Sequence, residues 1–496
     1  MRSWLLGACI WMGSLSGSSA MAQPIAFDGE IADWPEGTWA LANPTHLKLR
    51  LDFDQLAALG RGGERVEIAI DMDADDTTGS PGHREPGADL VITLNEPYEW
   101  RGQPRTGNAA IGFDADGREV TVEIGTTRVN YLPTHAAESF EISIARSPDL
   151  PHMLTRRGLL SAGQGQITVQ RLARESGAAL GMPQRTTVTF PALARLDQPV
   201  PAQLPPRTPG DLRVLAYNVL WANPMKAAPD GPGAEPFVRM FQAMNPDVLL
   251  IQEWYDRNVE SDLTVAQREA RIADWFNTHL PDNNWSVVGS VGNGVYIVSR
   301  FPVLHRGPEE VRFESETRWS FPVRIASAVL DTPDGPVVFG STHLKCCGTL
   351  NSPEDIRRRE EAAAINSVLS GLSAIDGGRY PVVLGGDYNH NGHPDVVETL
   401  LDGLDADGSP LELLFPRVLG TNEVYTHGTP ARGTRQNRLD YISPADAHFT
   451  TTAKFVLDTT RLDTASLRAA GLERDDIEAS DHLPVVADLR PRRTSP

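Results

Sequence analysis

The second half of the chain carries six short motifs in which a side chain suited to metal, phosphate or proton chemistry ends an apolar run or lies beside it. One such motif alone is weak evidence, because a buried strand often ends in a polar residue where it meets water. Six in one chain indicate a shared site. The motifs are LRVLAYN, DVLLIQE, VVFGSTH, VVLGGDYN, RLDYI and SDHLPVV, which supply Asn218, Glu253, His343, Asp387, Asn389, Asp440, Asp481 and His482.

Glu253 and Asn218 are candidate metal ligands. An ionised carboxylate at the end of an apolar run is costly without a partner, and either a divalent cation or an arginine would serve. Asn218 could add an amide oxygen without adding charge. A site with few protein oxygens and open positions for water and phosphate suits Mg²⁺, with Mn²⁺ as the alternative ion.

Asp387 and Asn389 lie two residues apart and therefore project to one side of an extended chain. Gly385 and Gly386 precede them and would allow a close backbone turn. The carboxylate could orient or deprotonate water, and the amide could donate to a phosphate oxygen. An ordinary turn after a buried strand is the alternative interpretation.

Asp440 and His482 offer the acid/base arrangement of the catalytic dyads. The carboxylate would hold an imidazole that accepts a proton from water, while Asp481 would remain available to a metal. His343 could hold the phosphate or stabilise the charge that develops on it. A lone histidine is more often structural than catalytic, so each of these assignments depends on the others.

Strand-like and helix-like segments alternate between residues 211 and 490, which indicates a layered α/β domain. Ser352 followed by Pro353 predicts the start of one helix, and further helices are predicted over 235–244 and 266–279. The candidate side chains would then lie at strand ends beside a crevice. The predicted strands are 212–218, 247–252, 286–289, 294–299, 322–330, 336–342, 380–386, 438–443 and 483–489.

Residues 23–195 consist of short alternating or apolar runs between Gly, Asp and Pro turns, a pattern that favours an all-β sandwich. The proline-rich segment 196–210 is predicted to be a stiff linker. In outline the first domain resembles the carbohydrate-binding-type sandwiches of secreted bacterial proteins, which makes a glycan a candidate partner. Trp34 and Trp100 would serve either as sugar platforms or as core residues.

Asp71, Asp73 and Asp75 place carboxylates at alternate positions and form a candidate Ca²⁺ loop. The pattern departs from the EF-hand, because Asp76 stands where glycine is required and Gly82 where a glutamate is required. An acidic surface turn is the alternative interpretation.

The N-terminus predicts export. Met1 and Arg2 precede an apolar stretch and then small residues, which is typical of a signal peptide over 1–22 and implies a periplasmic or extracellular protein. No later apolar run reaches transmembrane length, so an integral membrane protein is not expected. The adjacent Cys346 and Cys347 could form a strained disulfide, remain as thiols or bridge two chains.

The order and wording of the six motifs resemble the endonuclease/exonuclease/phosphatase superfamily, which includes deoxyribonucleases, neutral sphingomyelinases, inositol polyphosphate 5-phosphatases and deadenylases. The resemblance implies a four-layer α/β sandwich and metal-dependent hydrolysis of a phosphoester. By position it assigns Asn218 and Glu253 to the metal, Asp481 to the metal or the dyad, and His343 to the phosphate. It also implies that Asp387 and Asn389 position water and phosphate and that Asp440 orients His482. Arg324 and Arg438 lie near the motifs and could grip phosphate.

Members of the superfamily differ over whether the aspartate of the GGDYN motif or the final histidine is the base, and we prefer His482. Tyr388 replaces the commoner phenylalanine. His343 replaces the tyrosine of abasic-site endonucleases and so favours the deoxyribonuclease, sphingomyelinase and deadenylase branches.

We therefore expect an exported Mg²⁺-dependent phosphodiesterase, with nucleic acid as the first substrate class. A phospholipid or inositol-phosphate hydrolase is the alternative within the same chemistry, and a non-catalytic glycan-binding protein is the alternative outside it. The 496-residue chain has a formal net charge of -20, which repels a long polyanion and so mildly favours a small or zwitterionic substrate.

Overall fold

A computed structural model describes most of the chain. No helix in the described part is long and apolar enough to cross a membrane. The predicted signal peptide and the first six residues of the predicted linker lie outside the described residues. The described residues are 25, 27, 29, 31–59, 63–81, 86–100, 103–114, 116–122, 124–146, 163–193, 202–226, 231–255, 262–281, 284–292, 294–421, 423–428 and 437–492.

The N-terminal part folds into two antiparallel sheets, with strand orders β1-β2-β8-β7 and β10-β9-β3-β4-β5-β6. One short helix, α1 (Ile124–Thr127), lies between β6 and β7. The strands are β1 (Ala40–Ala42), β2 (His46–Ala57), β3 (Arg65–Asp71), β4 (Leu90–Trp100), β5 (Gln103–Phe113), β6 (Glu119–Thr121), β7 (Asn130–Leu132), β8 (Ala137–Ala145), β9 (Gly163–Leu172) and β10 (Gln184–Phe190).

Alternate residues of both sheets point inward and share one apolar core. Leu49 and Ile142 come from one sheet, Ile68 and Ile92 from the other, and all four are fully buried in the same cluster. The prediction of an all-β sandwich is therefore confirmed. Trp34 is buried and donates its indole N–H to Glu141 at 2.8 Å, so it is a core residue and the sugar-platform interpretation is wrong for it.

The C-terminal part contains the remaining strands and five helices of the described chain. The helices are α2 (Glu235–Met244), α3 (Val265–His279), α4 (Pro353–Ser373), α5 (Asp395–Leu401) and α6 (Thr464–Ala470). The strands are β11 (Leu212–Asn218), β12 (Val248–Gln252), β13 (Ser286–Gly289), β14 (Tyr296–Ser299), β15 (Val303–Arg306), β16 (Ile325–Thr332), β17 (Gly335–His343), β18 (Val382–Asp387), β19 (Asp440–Pro444), β20 (Phe449–Val456) and β21 (Val485–Pro491).

These strands form two mixed sheets, with orders β13-β14-β12-β11-β21-β20 and β15-β16-β17-β18-β19. The sheets pack face to face, since β11 and β12 contact β17 and β18. Helix α3 covers the first sheet, and α4 covers the second. The layers are therefore helix, sheet, sheet and helix, as the resemblance implied.

Local sequence accounts for the helix starts. The Ser352 hydroxyl accepts the Asp355 N–H at 3.3 Å, and Pro353 occupies the first position of α4, as predicted. Helix α3 begins with a capping box between Thr264 and Gln267. Helix α2 has the predicted bounds and buries one side, from Phe237 to Met244, in the core.

Candidate active site

Three of the candidate side chains are neighbours across adjacent strands. His343 ends β17 and pairs with Asp387, which ends the parallel strand β18. Asp387 in turn pairs with Asp440 at the start of the antiparallel strand β19. In the other sheet Asn218 ends β11 opposite Gln252, so Glu253 follows directly after β12. Both sheets therefore deliver their polar ends to the same edge of the sandwich.

Gly385 and Gly386 lie within β18 and do not form the turn that the sequence suggested. A Cβ on Gly385 would lie 2.8 Å from Leu250 Cδ1 of the facing sheet. A Cβ on Gly386, where φ is 136°, would lie 2.1 Å from the Thr342 carbonyl oxygen and 2.8 Å from Gln252 Nε2. The two glycines allow the sheets to approach closely just before Asp387.

We expect Gly386→Ala to lower the free energy of unfolding by roughly 2–4 kcal/mol, because the added methyl meets backbone atoms and the φ angle disfavours a side chain. The midpoint of urea unfolding, followed by circular dichroism, measures the change. Gly371→Ala is the matched control, since Gly371 lies in α4 with nothing within 4 Å of an added Cβ. The control should gain roughly 0.5–1 kcal/mol. Equal stability of the Gly386 variant and the wild type would contradict the close approach.

Asp387 Oδ2 lies at the centre of the site. Asn218 Nδ2 lies 3.3 Å from it, His343 Nε2 3.4 Å and His482 Nε2 3.7 Å. The other carboxylate oxygen, Oδ1, accepts the Asn389 N–H at 2.9 Å. Burial raises the pKa of Asp387 to about 7, although the positive charge of His482 lowers it. This carboxylate is therefore balanced between two protonation states near neutrality.

His482 and Asp440 form the predicted dyad. His482 Nδ1 lies 2.9 Å from Asp440 Oδ2, so it donates to the carboxylate and leaves Nε2 facing Asp387. Burial lowers the pKa of His482, but the charges of Asp440 and Asp387 outweigh it and raise the pKa to about 10. The backbone N–H groups of Leu439 and Asp440 both donate to the Thr426 hydroxyl, which fixes the start of β19.

The surroundings of His343 keep its imidazole neutral, in contrast to that of His482. Burial and the neighbouring Arg324 keep its pKa well below the usual range, so the ring is neutral. Arg324 Nη1 lies 3.0 Å from Nδ1 and 3.3 Å from Nε2 of His343, so the guanidinium contacts both ring nitrogen atoms, and Nε2 also faces Asp387. One imidazole of the site is thus neutral, and His482 is a cation.

Arg324 and Arg438 differ from the predicted phosphate-gripping role. Arg324 Nη2 donates to the Leu344 carbonyl at 2.6 Å, so this side chain supports His343 from behind. Arg438 is buried, donates to the Val424 carbonyl at 3.1 Å and lies over the Phe415 ring. Neither side chain is among the described residues that line the cavity. Backbone carbonyls thus accept from Arg324 Nη2 and from Arg438 Nε.

The surroundings of Glu253 fit its predicted role as a metal ligand. Its Oε1 accepts from Asn218 Nδ2 at 3.2 Å, whereas its Oε2 is buried and has no hydrogen-bond partner among the described residues. Burial raises the pKa of this carboxyl group. A buried carboxylate oxygen without a donor is costly, and a hard divalent cation is the ligand that would offset the cost. Glu253 itself has a φ of 60°, so its backbone is also held in an uncommon conformation.

Asn218 differs from its predicted role as an oxygen ligand. Its amide nitrogen, not its oxygen, faces Glu253 and Asp387, because Oδ1 accepts the Leu220 N–H at 3.1 Å. Asn218 therefore stabilises two neighbouring carboxylates by donating a hydrogen bond to each of them. Asn389 Nδ2 similarly donates to the Leu344 carbonyl at 3.2 Å.

Ser480 connects two motifs and was missed by the sequence analysis. Its hydroxyl donates to the Asn218 carbonyl at 2.7 Å and accepts the His482 N–H at 3.2 Å. Asp481 lies between this serine and His482 and lines the cavity, as its candidate role in metal binding requires. His427 was also missed because it follows no apolar run, yet its ring contacts the His482 ring with centroids 4.7 Å apart.

A left-handed turn follows Asn218. Leu220, Trp221 and Ala222 have φ angles of 53°, 52° and 57°, and the Ala222 N–H donates to the Glu253 carbonyl at 2.7 Å. Such angles cost roughly 1–3 kcal/mol for each non-glycine residue, so the surrounding contacts must enforce them. The turn leaves the Trp221 side chain 47% exposed beside the candidate metal ligand.

Cys346 and Cys347 are free thiols with their sulfur atoms 3.0 Å apart, and both line the cavity. Hydrogen bonding to Cys347 and burial raise the pKa of the Cys346 thiol. Of the three states considered from the sequence, the described structure has the thiols.

The candidate calcium loop has a different membership from the predicted one. Oxygen atoms of Asp71, Asp73 and Asp89 lie within 4.8 Å of one another, whereas the Asp75 carboxylate accepts the Thr77 N–H at 3.0 Å. Burial and the charge of Asp89 raise the pKa of Asp71 to about 6. The sequence could not indicate Asp89, which directly precedes β4 and lies 16 residues after Asp73.

Most of the catalytic and metal-binding candidates line one cavity of about 540 Å³, although Asn218 and Asp440 are not among its lining residues. This volume lies inside the range of roughly 300–1,000 Å³ that small-molecule sites occupy. Glu253, His343, Asp387, Asp481 and His482 face it from the C-terminal sheets. Residues of the N-terminal sandwich face it as well, among them Tyr98, Asn108 and Tyr131, which no sequence motif had indicated.

Solved structures that are similar to this chain have low sequence identity to it, as three of them illustrate. The human Nocturnin catalytic domain with bound sulfate is 19% identical, covers 58% of this chain and 97% of its own, and has a TM-score of 0.35. A mannosyl-6-phosphatase of Bacteroides thetaiotaomicron is 17% identical over 56% and 99%, with a TM-score of 0.37. Sphingomyelinase C of Streptomyces griseocarneus is 18% identical over 57% and 99%, with a TM-score of 0.34. No curated protein matches the chain.

The family model gives a more direct result. The model of the Endonuclease/Exonuclease/phosphatase family matches residues 215–482, which is more than half of the chain and includes every motif of the candidate site from Asn218 to His482. Within that stretch the sheets bring carboxylates, amides and two imidazoles, one neutral and one cationic, to one cavity. The chain belongs to the endonuclease/exonuclease/phosphatase family and is a phosphoester hydrolase.

Proposed function

We propose that the chain is a Mg²⁺-dependent phosphodiesterase in which the Asp387–His482 pair accepts the proton of the attacking water. The observation that supports this most directly is the position of Asp387 Oδ2, which lies within 3.3–3.7 Å of Asn218, His343 and His482 nitrogen atoms. A water at this point would contact a base on one side and donors on the other. General acid/base groups must lie within such reach of the proton that they move.

Each side chain then has a defined task. Asp440 holds the His482 ring through Nδ1, so Nε2 stays directed at Asp387 and the two groups share one proton as a coupled pair. His343 is neutral, and its Nε2 lies 3.4 Å from Asp387 Oδ2, where a neutral imidazole N–H would suit a hydrogen bond to a phosphate oxygen. Asn389 donates its backbone N–H to Asp387 Oδ1, so that Oδ2 is the oxygen directed at the Asn218, His343 and His482 nitrogen atoms.

Glu253 and the neighbouring Asp481 are the residues that we propose to hold the cation. The buried Oε2 of Glu253 supports the assignment, since it has no partner among the described residues. When bound, Mg²⁺ would supply positive charge that stabilises the phosphate and leaving-group oxygens as negative charge develops. The residues do not themselves distinguish Mg²⁺ from Mn²⁺, because both ions accept carboxylate and water oxygens.

Metal removal tests this proposal. The full chain should hydrolyse bis(4-nitrophenyl) phosphate with Mg²⁺, and EDTA should lower the rate by at least about 100-fold, since a catalytic metal supplies several kcal/mol of stabilisation. Re-addition of Mg²⁺ or Mn²⁺ should restore the rate. DNA, RNA, sphingomyelin and inositol phosphates then identify the substrate class, with nucleic acid as the first expectation. Hydrolysis that is unchanged in EDTA would contradict the metal-dependent mechanism.

A further inference from the structure

The N-terminal sandwich contacts the segments that flank the catalytic strands β18 and β19. The buried Thr134 hydroxyl lies 3.0 Å from the His390 carbonyl and 3.1 Å from the Arg438 carbonyl. The Ala136 N–H donates to the Gly392 carbonyl at 2.8 Å, and the rings of His135 and His390 stack with centroids 4.3 Å apart. The His390 and Gly392 carbonyls lie a few residues after Asp387, and the Arg438 carbonyl lies two residues before Asp440. Residues 134–136 of the sandwich are therefore fixed against the site itself.

Apolar packing strengthens the same contact. Leu132 at the end of β7 forms a small buried cluster with Phe27 and with Val424 of the C-terminal part. Tyr131 is the adjacent residue on β7, so its side chain points to the opposite side and lines the cavity. One face of β7 therefore holds the sandwich in place, and the other face closes the cavity.

Strands β4 and β5 supply Tyr98 and Asn108, which together with Tyr131 of β7 line the sandwich side of the cavity and form what we call the wall. Asn95 has a φ of 59° at a register shift between Thr93 and Glu96, and its side chain donates to the Ala58 and Glu64 carbonyls. Such bulges redirect the residues that follow them. Tyr98 then lies against Gly107, where an added Cβ would be 3.1 Å from the ring, and remains 51% exposed.

We propose that this wall binds the organic part of the substrate and that Tyr98, Asn108 and Tyr131 determine specificity. The proposal rests on the function proposed above, because the wall matters only if the phosphate lies between Asp387 and His343. Tyr98 offers an exposed aromatic face, and Trp221 offers a second from the C-terminal part of the same cavity, whereas Tyr131 is buried and reaches the cavity from the sandwich core. Asn108 and Asn391 add amide groups that both donate and accept.

These groups suit a hydroxylated ring close to the phosphate. Aromatic faces stack on a sugar or a base, and amides pair with ring hydroxyls. A cavity of about 540 Å³ accommodates one such group and not a duplex. The net charge of -20 also disfavours a long polyanion. The substrate class is therefore a phosphoester of a sugar or a nucleoside, either as a small molecule or at the end of a chain.

Inhibition of the full-length enzyme separates this wall from the phosphate site. With bis(4-nitrophenyl) phosphate as the reporter, Tyr98→Ala should raise the inhibition constants of a hexose 6-phosphate or a nucleoside 5′-monophosphate by about 10-fold or more, on the scale of stacking contacts. The inhibition constant of inorganic phosphate should stay unchanged. Comparing the two inhibitors distinguishes the sugar from the nucleoside as the bound ring.

Two further variants control the experiment. Tyr98→Phe keeps the ring and should retain most of the affinity for the ring-bearing inhibitor. Met182→Ala changes a residue of the same sandwich that is 89% exposed and does not line the cavity, so it should leave every constant unchanged. Thermal unfolding checks that each variant is folded.

The outcomes distinguish the two proposals. Absence of metal-dependent hydrolysis in the wild type would overturn the proposed function. Normal hydrolysis with the same inhibition constants in Tyr98→Ala, or with an equal change for phosphate, would overturn the specificity wall alone. Faster hydrolysis of duplex DNA or of sphingomyelin vesicles than of any sugar or nucleoside phosphate would also overturn it.

Discussion

Replacing His482 with alanine is expected to lower kcat about 10³-fold, within the range of roughly 10²–10⁴ that general acid/base groups contribute. The change removes the donor to Asp440 at 2.9 Å and the cation that faces Asp387 at 3.7 Å. Steady-state hydrolysis of a phosphodiester with saturating Mg²⁺ measures the effect. KM should change less than kcat, because the lost group acts on the proton and not on substrate binding.

A second variant and a control make this result interpretable. Asp440→Asn keeps the volume and the imidazole but removes the charge that orients it, so a loss of similar size is expected. His305→Ala removes a partly exposed histidine on β15, whose Nε2 lies 3.0 Å from Asp376, and should leave kcat unchanged. A folded His482→Ala enzyme with wild-type kcat would exclude His482 from the proton transfer.

Replacing Glu253 with glutamine is expected to raise the Mg²⁺ concentration for half-maximal activity by at least about 100-fold, because even residues outside the coordination sphere contribute 10–100-fold to metal affinity. The effect should also appear without turnover. Saturation at 100 times the dissociation constant stabilises a protein by about 2.7 kcal/mol, so Mg²⁺ should raise the melting temperature of the wild type and not of the variant.

In EDTA, by contrast, Glu253→Gln is expected to raise the stability of the metal-free chain. The buried Oε2 of Glu253 has no partner among the described residues, so removal of the negative charge should stabilise the metal-free chain, by roughly 1–3 kcal/mol. Glu398→Gln, at an exposed position of α5, is the matched control and should change neither measurement. A Glu253→Gln chain that is still stabilised by Mg²⁺ to the wild-type extent would place the cation elsewhere.

Strands that are buried along their whole length were predictable. Residues 212–218 and 286–289 have the predicted bounds, because a continuous apolar run allows little else in a two-sheet core. The edge strands β15 and β20 were missed, since alternate residues are exposed and their sequences include Lys454 and several threonines. Helices α5 and α6 were missed because seven residues give too few turns for a recognisable period.

The membership of the site was largely predictable, and its internal geometry was not. The candidate residues of the six motifs, from Asn218 to His482, lie near one edge, because the sheets bring those strand ends together. The sequence could not show that Asn218 turns its nitrogen toward Glu253, or that Arg324 supports His343, since both depend on hydrogen bonds to backbone groups. Contacts such as that of Thr134 with Arg438 have no sequence signal, because the two residues are 304 positions apart.

The docking of Thr134 onto the catalytic strands has a consequence for how this chain can diverge. On the proposed assignment, the groups that act at phosphorus belong to the C-terminal part, whereas Tyr98, Asn108 and Tyr131 belong to the N-terminal sandwich, which has a separate core. Substitutions on β4 or β5 would therefore exchange one substrate for another without disturbing the machinery around Asp387. A lineage could acquire new nutrients or targets through a domain that contributes no catalytic group.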